Sequence, residues 1–239
     1  MQWNSLILSL DFLSPQEWEA VRLTLIVAAR SVAMALPFAL LCAWVLARCR
    51  FTGRAVLDVL VHLPAVLPPV VVGWLLLLLF GLHGPIGAWL MSWFGIRLVF
   101  TSTGASLACA VMSFPMMVRT MRLSLDAVDP GLEQAARTLG AGPIDRLLSV
   151  TLPLAIPGIL AATIAGFALS LGEFGAVITF AANIPGQTQT LPLAIYSALE
   201  TPGGEATAAR LSLVSVALAF AGLFASEFAS RRLRVVLGR

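Results

Sequence analysis

The fold of this chain is decided by runs such as Val70–Phe80, with the sequence VVVGWLLLLLF, in which no residue is charged. The run is apolar on every side, whereas a helix on the surface of a soluble protein keeps one polar face. It belongs to a longer apolar segment, Ala55–Phe80, and about 20 residues of helix cross the hydrocarbon of a bilayer. The stretch therefore predicts a helix surrounded by lipid or by other membrane helices.

Five apolar segments of this kind each predict one transmembrane helix. The composition agrees, because 59% of the residues are hydrophobic and 11% are charged, whereas soluble domains carry about 25% charge. We predict an all-α, polytopic membrane helix bundle that forms a single domain over residues 1–239. The third segment is short, and we expect it to extend into its flanks. The five segments are about Leu23–Ala47, Ala55–Phe80, Thr103–Val118, Leu152–Phe180 and Ala206–Ala229.

The distribution of arginine predicts the orientation, because cytoplasmic loops of membrane proteins carry more basic residues than external loops. All 15 basic residues are arginine, and 11 of them lie in the first and third connecting segments and at the C-terminus. Three lie on the opposite side, at Arg22, Arg97 and Arg210, while Arg30 falls near the outer headgroups. With five spans, the N-terminus is predicted to be periplasmic and the C-terminus cytoplasmic.

The residue types that are missing exclude several kinds of chemistry. The chain has no lysine, and a nucleotide-binding P-loop needs a lysine on the phosphates. The two histidines, His62 and His83, fall on opposite faces of the predicted bundle, and the three cysteines lack the spacing of a metal site. We therefore expect no catalytic residues, no metal and no cofactor, and no nucleic-acid partner.

The arginine-rich segment between the third and fourth spans predicts two short helices. Asp129 suits the N-cap of the first helix, Pro130 its first position, and Gly140 a left-handed residue just after its end. A second helix is expected to begin near Pro143. The first helix would carry one narrow apolar stripe, formed by Leu132, Ala135, Ala136 and Leu139. A helix of this length is marginal alone in water, so it must dock either on its own bundle or on a partner.

The same segment resembles the signature loop of importer permeases of the ATP-binding-cassette family. That signature reads Glu-Ala-Ala, three residues, Gly, nine residues, Ile-x-Leu-Pro, and this chain has Gln134-Ala135-Ala136, Gly140 and Val150-x-Leu152-Pro153 at the same spacing. Gln134 stands where the signature has Glu, and Glu133 precedes it. The resemblance implies that residues 126–153 couple the chain to a separate ATPase subunit. The residues of the ATPase coupling loop that it implies are Leu132, Glu133, Gln134, Ala135, Ala136, Leu139 and Gly140.

Other segments resemble the molybdate permeases of that family. The resemblance implies a type I importer permease fold in the bacterial inner membrane, and a homodimer with two cytoplasmic ATPase subunits and a periplasmic molybdate-binding protein. ATP hydrolysis would then belong to the separate subunit. The alternatives are a permease for sulfate or tungstate, because sulfate permeases share part of the pattern, or an ATP-independent transporter. The similar segments are Arg48–Gly53, His62–Gly73, Val111–Pro115, Ser170–Ala176, Asn183–Gly186 and Thr201–Leu211.

Glu173 falls deep in the fourth predicted span, between Gly172 and Gly175. A carboxylate in hydrocarbon is costly, so its side chain should face the bundle interior or water. A negative charge would also repel an oxyanion. We therefore interpret Gly172, Glu173 and Gly175 as residues that support a gate or the pathway, rather than as direct substrate contacts.

The predicted orientation can be tested by single-cysteine labelling in a background without the native cysteines. We expect an impermeant thiol reagent to label Ser5→Cys in intact cells and Ser230→Cys only after lysis. The reason is the arginine count of 11 against three. Labelling of Ser5→Cys only after lysis would contradict this topology.

Overall fold

A computed structural model describes residues 13–236, with side chains as far as position 224 except at 223. Within this range the regular elements are all helical. A π-helical turn, Leu147–Thr151, lies between the seventh and the eighth helix. The helices are α1 Pro15–Arg48, α2 Arg54–Val66, α3 Pro69–Phe80, α4 Pro85–Phe94, α5 Ser102–Asp126, α6 Pro130–Thr138, α7 Pro143–Arg146, α8 Leu152–Leu171, α9 Gly175–Ala181, α10 Leu191–Glu200 and α11 Glu205–Val236.

Four segments of the described chain are long and apolar enough to cross a membrane, and a bent pair of helices makes a fifth. The four are α1, α5, the continuous stretch Pro143–Leu171 and the part of α11 over Glu205–Gly222. The bent pair is α2 with α3. The expected all-α bundle of about five spans is therefore confirmed, and the short third segment extends in both directions to Ser102–Asp126.

Two spans that the sequence predicted as continuous are broken. The segment Ala55–Phe80 bends by 115° between α2 and α3. Proline at 68 and 69 explains this break, because Pro68 lacks an N–H and disfavours helical backbone at Leu67, which is extended. The segment Leu152–Phe180 divides into α8 and α9, separated by residues 172–174.

Two further features of the connecting segments differ from what the sequence predicted. The second short helix that was expected near Pro143 does begin there, but it continues through the π-helical turn into the fourth span. The connecting segment before α5 contains the helix α4, and the one after α9 contains the helix α10, neither of which the sequence predicted. Both helices begin with proline in their first turn, where a missing N–H costs nothing.

The core lies where α1, α5 and α8 pack against one another. Alanine occupies the buried positions of α1 at 28, 35, 39 and 43, each at most 4% exposed. Small side chains let membrane helices approach closely, which replaces the hydrophobic driving force that lipid cannot provide. A hydrogen bond of 2.7 Å between the hydroxyls of Ser31 and Ser170 joins α1 to α8 inside this core.

One end of the bundle is closed by contacts between distant parts of the chain. Arg210 Nη2 lies 2.9 Å from Glu17 Oε1, and the Glu17 side chain is only 6% exposed. The hydroxyl of Thr24 accepts a hydrogen bond of 2.7 Å from the backbone N–H of Leu191. These contacts tie α1 to α10 and α11. Which end of the bundle faces the cytoplasm stays a prediction from the arginine count.

Glycine allows the two broken segments to pack directly on each other. A Cβ atom on Gly73 of α3 would lie 2.7 Å from the carbonyl oxygen of Ala176 and 2.8 Å from Thr179 Cβ, both in α9. A Cβ atom on Gly175 would lie 2.7 Å from Pro69 Cβ. These distances are shorter than carbon contacts allow, so the helix α3 can reach α9 only because both positions are glycine.

This close approach predicts that Gly73→Ala destabilises the protein by about 1–3 kcal/mol, the usual cost of overpacking. The matched control is Gly222→Ala, because Gly222 lies in α11 and a Cβ atom there would meet nothing within 4 Å. Thermal unfolding of both variants in the same detergent provides the measurement. We expect a lower Tm for Gly73→Ala alone. An unchanged Tm for Gly73→Ala would show that the α3–α9 contact is looser than described.

Candidate functional site: the coupling loop and the Glu173 turn

The helix α6 has the predicted start. Asp129 is its N-cap and accepts a hydrogen bond of 2.7 Å from the backbone N–H of Gly131, and Pro130 is the first helical residue. These two residues satisfy or remove backbone donors that a helix terminus leaves unpaired. The start of the helix is therefore set by residues that were read correctly from the sequence.

Gly140 gives α6 the predicted left-handed end. Its φ is +89°, and its N–H donates to the carbonyl of Arg137 at 3.0 Å. The next N–H, of Ala141, donates to the carbonyl of Ala136 at 3.0 Å. This pair of bonds is a Schellman motif, which closes a helix and turns the chain away from its axis. The turn at Gly140 therefore sets the angle between α6 and the stretch that begins at Pro143.

The apolar stripe of α6 does not pack on the bundle. Leu139 is 89% exposed and Leu132 is 46% exposed, while Ile144 and Leu148 of the following stretch are exposed as well. Of the two alternatives for this helix, docking on its own bundle would have covered these side chains. Large apolar side chains grouped on one face and left exposed are characteristic of an interaction surface.

On its other side, α6 is held to the bundle by Glu133. Its Oε1 atom lies 3.0 Å from Arg48 Nη2 at the end of α1, and it accepts a hydrogen bond of 2.6 Å from the hydroxyl of Thr151. Gln134, at the position of the signature Glu, is exposed. The partners of Glu133 were not predicted from the sequence, where Arg48 served only for the orientation and as part of a family motif. No local pattern indicates this pair, because an arginine at the end of a span can face either headgroups or a carboxylate.

Glu173 lies in the turn between α8 and α9, not inside a continuous helix as the predicted boundaries had placed it. Its Oε1 atom accepts a hydrogen bond of 2.9 Å from the backbone N–H of Ala176. That N–H belongs to the first turn of α9, where donors have no partner within the helix. The side chain is half-buried. The carboxylate therefore satisfies a backbone donor at the start of α9, directly after the break in the fourth segment.

The two glycines beside Glu173 have different surroundings. Gly175 begins α9 and packs against Pro69 so closely that no side chain fits. The nearest heavy atom to a Cβ atom on Gly172 would be the carbonyl oxygen of Leu169, at 4.0 Å. Packing therefore requires glycine at 175 and does not require it at 172. Gly73 belongs to the same contact as Gly175. In the sequence, Gly73 was noted only as part of the motif His62–Gly73.

The structure does not bring the two groups of predicted site residues together. The coupling loop, residues 126–153, reaches the first residue of α8, Leu152. The turn that contains Glu173 follows the last residue of α8, Leu171. The 20 residues of α8 separate them by about 30 Å at 1.5 Å per residue. A single helix thus connects the exposed surface of α6 to the turn that contains Glu173.

Comparison with known proteins places this architecture among transport systems. The chain is 55% identical over 227 residues to the molybdenum transport system permease protein ModB of Escherichia coli K12, covering 95% of this chain and 99% of that protein. It is 37% identical over 230 residues to the sulfate transport system permease protein CysT of the same organism, covering 91% and 83%.

A solved structure and a family model agree with these relatives. The fold matches a bacterial alginate ABC transporter in complex with a periplasmic protein, with a TM-score of 0.73, 17% identity and coverage of 96% of this chain and 82% of that chain. The all-α architecture is thus that of an ABC importer permease. Residues 35–235 match the model for the binding-protein-dependent transport system inner membrane component. The chain belongs to this family of binding-protein-dependent inner membrane transport components.

Proposed function

We propose that this chain is the permease subunit of an ATP-driven molybdate importer. The observation that carries the proposal is its higher identity to the molybdenum permease, over nearly the full length of both proteins, than to the sulfate permease. The difference between the two identities is measured over 95% and 91% of this chain. It therefore favours molybdate over sulfate more strongly than any single shared motif does.

The exposed stripe of α6 supports a partner that docks on this surface. We infer that a cytoplasmic ATPase subunit covers Leu132, Ala135 and Leu139, and that Ala135 and Ala136 allow its surface to approach closely. Two copies of this chain would enclose one path and present two such loops to two ATPase subunits. This arrangement puts the loop in the cytoplasm, the N-terminus in the periplasm, and ATP hydrolysis on the separate subunits.

A periplasmic binding protein would deliver the oxyanion to the opposite end of the bundle. The alginate transporter of similar fold is described with a bound periplasmic protein, which supports this type of partner. The selectivity for molybdate would then lie mostly in the binding protein. The permease itself needs a path that does not hold the anion tightly, because tight binding would slow its release.

We infer that the Glu173 turn supports the gate of this path. Inside the membrane, backbone outside a helix is tolerated where it is buried in protein or lines a cavity, and the turn between α8 and α9 is such a place. Glu173 holds this turn through the N–H of Ala176, and Gly175 allows α3 to pack against it. An oxyanion would be repelled by the carboxylate, so the proposed role is positioning and not substrate contact.

The choice of substrate can be tested by deleting the gene for this chain. We expect loss of molybdenum-enzyme activity that excess molybdate restores, and competition of tungstate with molybdate for uptake, because the two anions have nearly the same size and charge. The measurements are enzyme activity and uptake of labelled molybdate. A deletion strain that requires reduced sulfur and keeps normal molybdate uptake would identify a sulfate permease instead.

The coupling role of the loop can be tested with Gly140→Val. A β-branched residue at φ +89° costs about 1 kcal/mol or more, which should alter the angle of α6 and weaken ATPase association. We expect the membrane spans to remain inserted, because none depends on this turn. Copurification of the ATPase and molybdate-stimulated hydrolysis in vesicles with the binding protein provide the measurements.

The matched control for this variant is Gly95→Val. Gly95 also has a positive φ, +65°, and open space around it, but it ends α4 and not the coupling loop. It should suffer a similar backbone strain and still retain the ATPase. Full ATPase association and full transport by Gly140→Val at wild-type expression would remove the main physical support for α6 as the coupling element.

A further inference from the structure

Glu133 joins the coupling helix to three spans at once. Its Oε1 atom is shared by Arg48 Nη2 at 3.0 Å and by the Thr151 hydroxyl at 2.6 Å. Arg48 is the last residue of α1, and the same Nη2 atom donates to the carbonyl of Leu125 in the last turn of α5, also at 3.0 Å. Thr151 directly precedes α8. One carboxylate oxygen thus links α6 to the ends of α1, α5 and α8 that lie beside it.

This network is shielded from water more than an ordinary surface ion pair. The side chains of Arg48 and Glu133 are 21% and 22% exposed, and Thr151 is only 2% exposed. The Nε atom of Arg48 is buried and has no hydrogen-bond partner among the described residues. Hydrogen bonds that involve charged groups are stronger than neutral ones, and they gain further in a poorly solvated site. The contacts therefore fix the inner side of α6 while its apolar stripe remains exposed.

We propose that Arg48, Glu133 and Thr151 form a clamp that transmits the displacement of α6 to the ends of α1, α5 and α8. This inference rests on the proposed function, in which a partner ATPase moves α6. A helix of nine residues can pass a displacement to the bundle only through the contacts that attach it. The chain turns at both ends of α6, at Asp129 and at Gly140, whereas the clamp attaches the middle of the helix. Glu133 is thus a positioning residue for coupling, and it leaves the docking surface to its neighbours.

The test is made on the assembled transporter, with its ATPase and binding protein, in vesicles. Glu133→Gln keeps the size of the side chain and removes its charge. We expect the ATPase to copurify as with the wild type, since the apolar stripe is unchanged, and hydrolysis to continue. The number of molybdate ions imported per ATP hydrolysed should decrease by roughly fivefold or more, the lower range of ordinary coupling between sites. The control Glu19→Gln removes an exposed carboxylate at the opposite end of α1 and should keep the wild-type ratio.

Two further variants separate the clamp from a general structural role. Arg48→Gln should lower the ratio in the same way, and the double variant with Glu133→Gln should be no worse than the poorer single variant, because each removes the same contact. Thr151→Val removes only the buried hydroxyl and should also lower the number of molybdate ions imported per ATP hydrolysed. This variant provides the test if Glu133→Gln accumulates poorly. A wild-type ratio in Glu133→Gln or in Thr151→Val, or simple additivity in the double variant, would overturn the clamp.

The outcomes also distinguish the clamp from the proposed function. Loss of ATPase association in Glu133→Gln would make Glu133 a docking residue and would contradict its role as a positioning residue. If the wild-type transporter imports no molybdate, the proposed substrate is wrong. The same ratios are then measured with sulfate or tungstate, whichever stimulates hydrolysis, and the clamp is judged on those values.

Discussion

The architecture depends on one constraint, that every backbone N–H and C=O group inside hydrocarbon needs a partner within the protein. Continuous helices such as α1 and α5 meet it through their own hydrogen bonds, except where Pro37 and Pro115 each remove one donor. The breaks between α2 and α3 and between α8 and α9 do not, and the structure brings α3 and α9 together at these breaks. Gly73 lies against the backbone of Ala176, Gly175 lies against Pro69, and Glu173 satisfies an N–H of α9. The two broken segments therefore pack on each other beside their breaks.

The sequence was sufficient for the features that local chemistry controls. The apolar runs predicted the number of spans, and Asp129, Pro130 and Gly140 predicted where α6 begins and turns, because capping depends on residues within a few positions of each other. The sequence was not sufficient to predict the two breaks, between α2 and α3 and between α8 and α9. The proline pair at 68 and 69 is compatible with a kink or with a full change of direction, and a 115° bend depends on what the next helix packs against.

Contacts between residues that lie far apart in the sequence also could not be predicted from sequence patterns. Arg48 and Glu133 are separated by 85 positions, and an arginine at the end of a span has the same appearance whether it faces headgroups or a carboxylate. Arg210 was likewise used only for the orientation and as part of a family motif, although it forms an ion pair with the buried Glu17. This chain has few charged residues, and each one that the bundle partly buries requires a specific partner.

In the proposed role of α6, its two faces separate attachment from recognition. The polar contacts of Glu133 bind the helix to its own chain, and the apolar side chains of Leu132 and Leu139 remain exposed. Had the stripe packed on the bundle, a partner would have had to displace it before docking. Had Glu133 been exposed instead, a docked partner could have moved α6 without moving the spans. Only the observed arrangement makes α6 both available to a partner and connected to α8, whose far end carries the turn that contains Glu173.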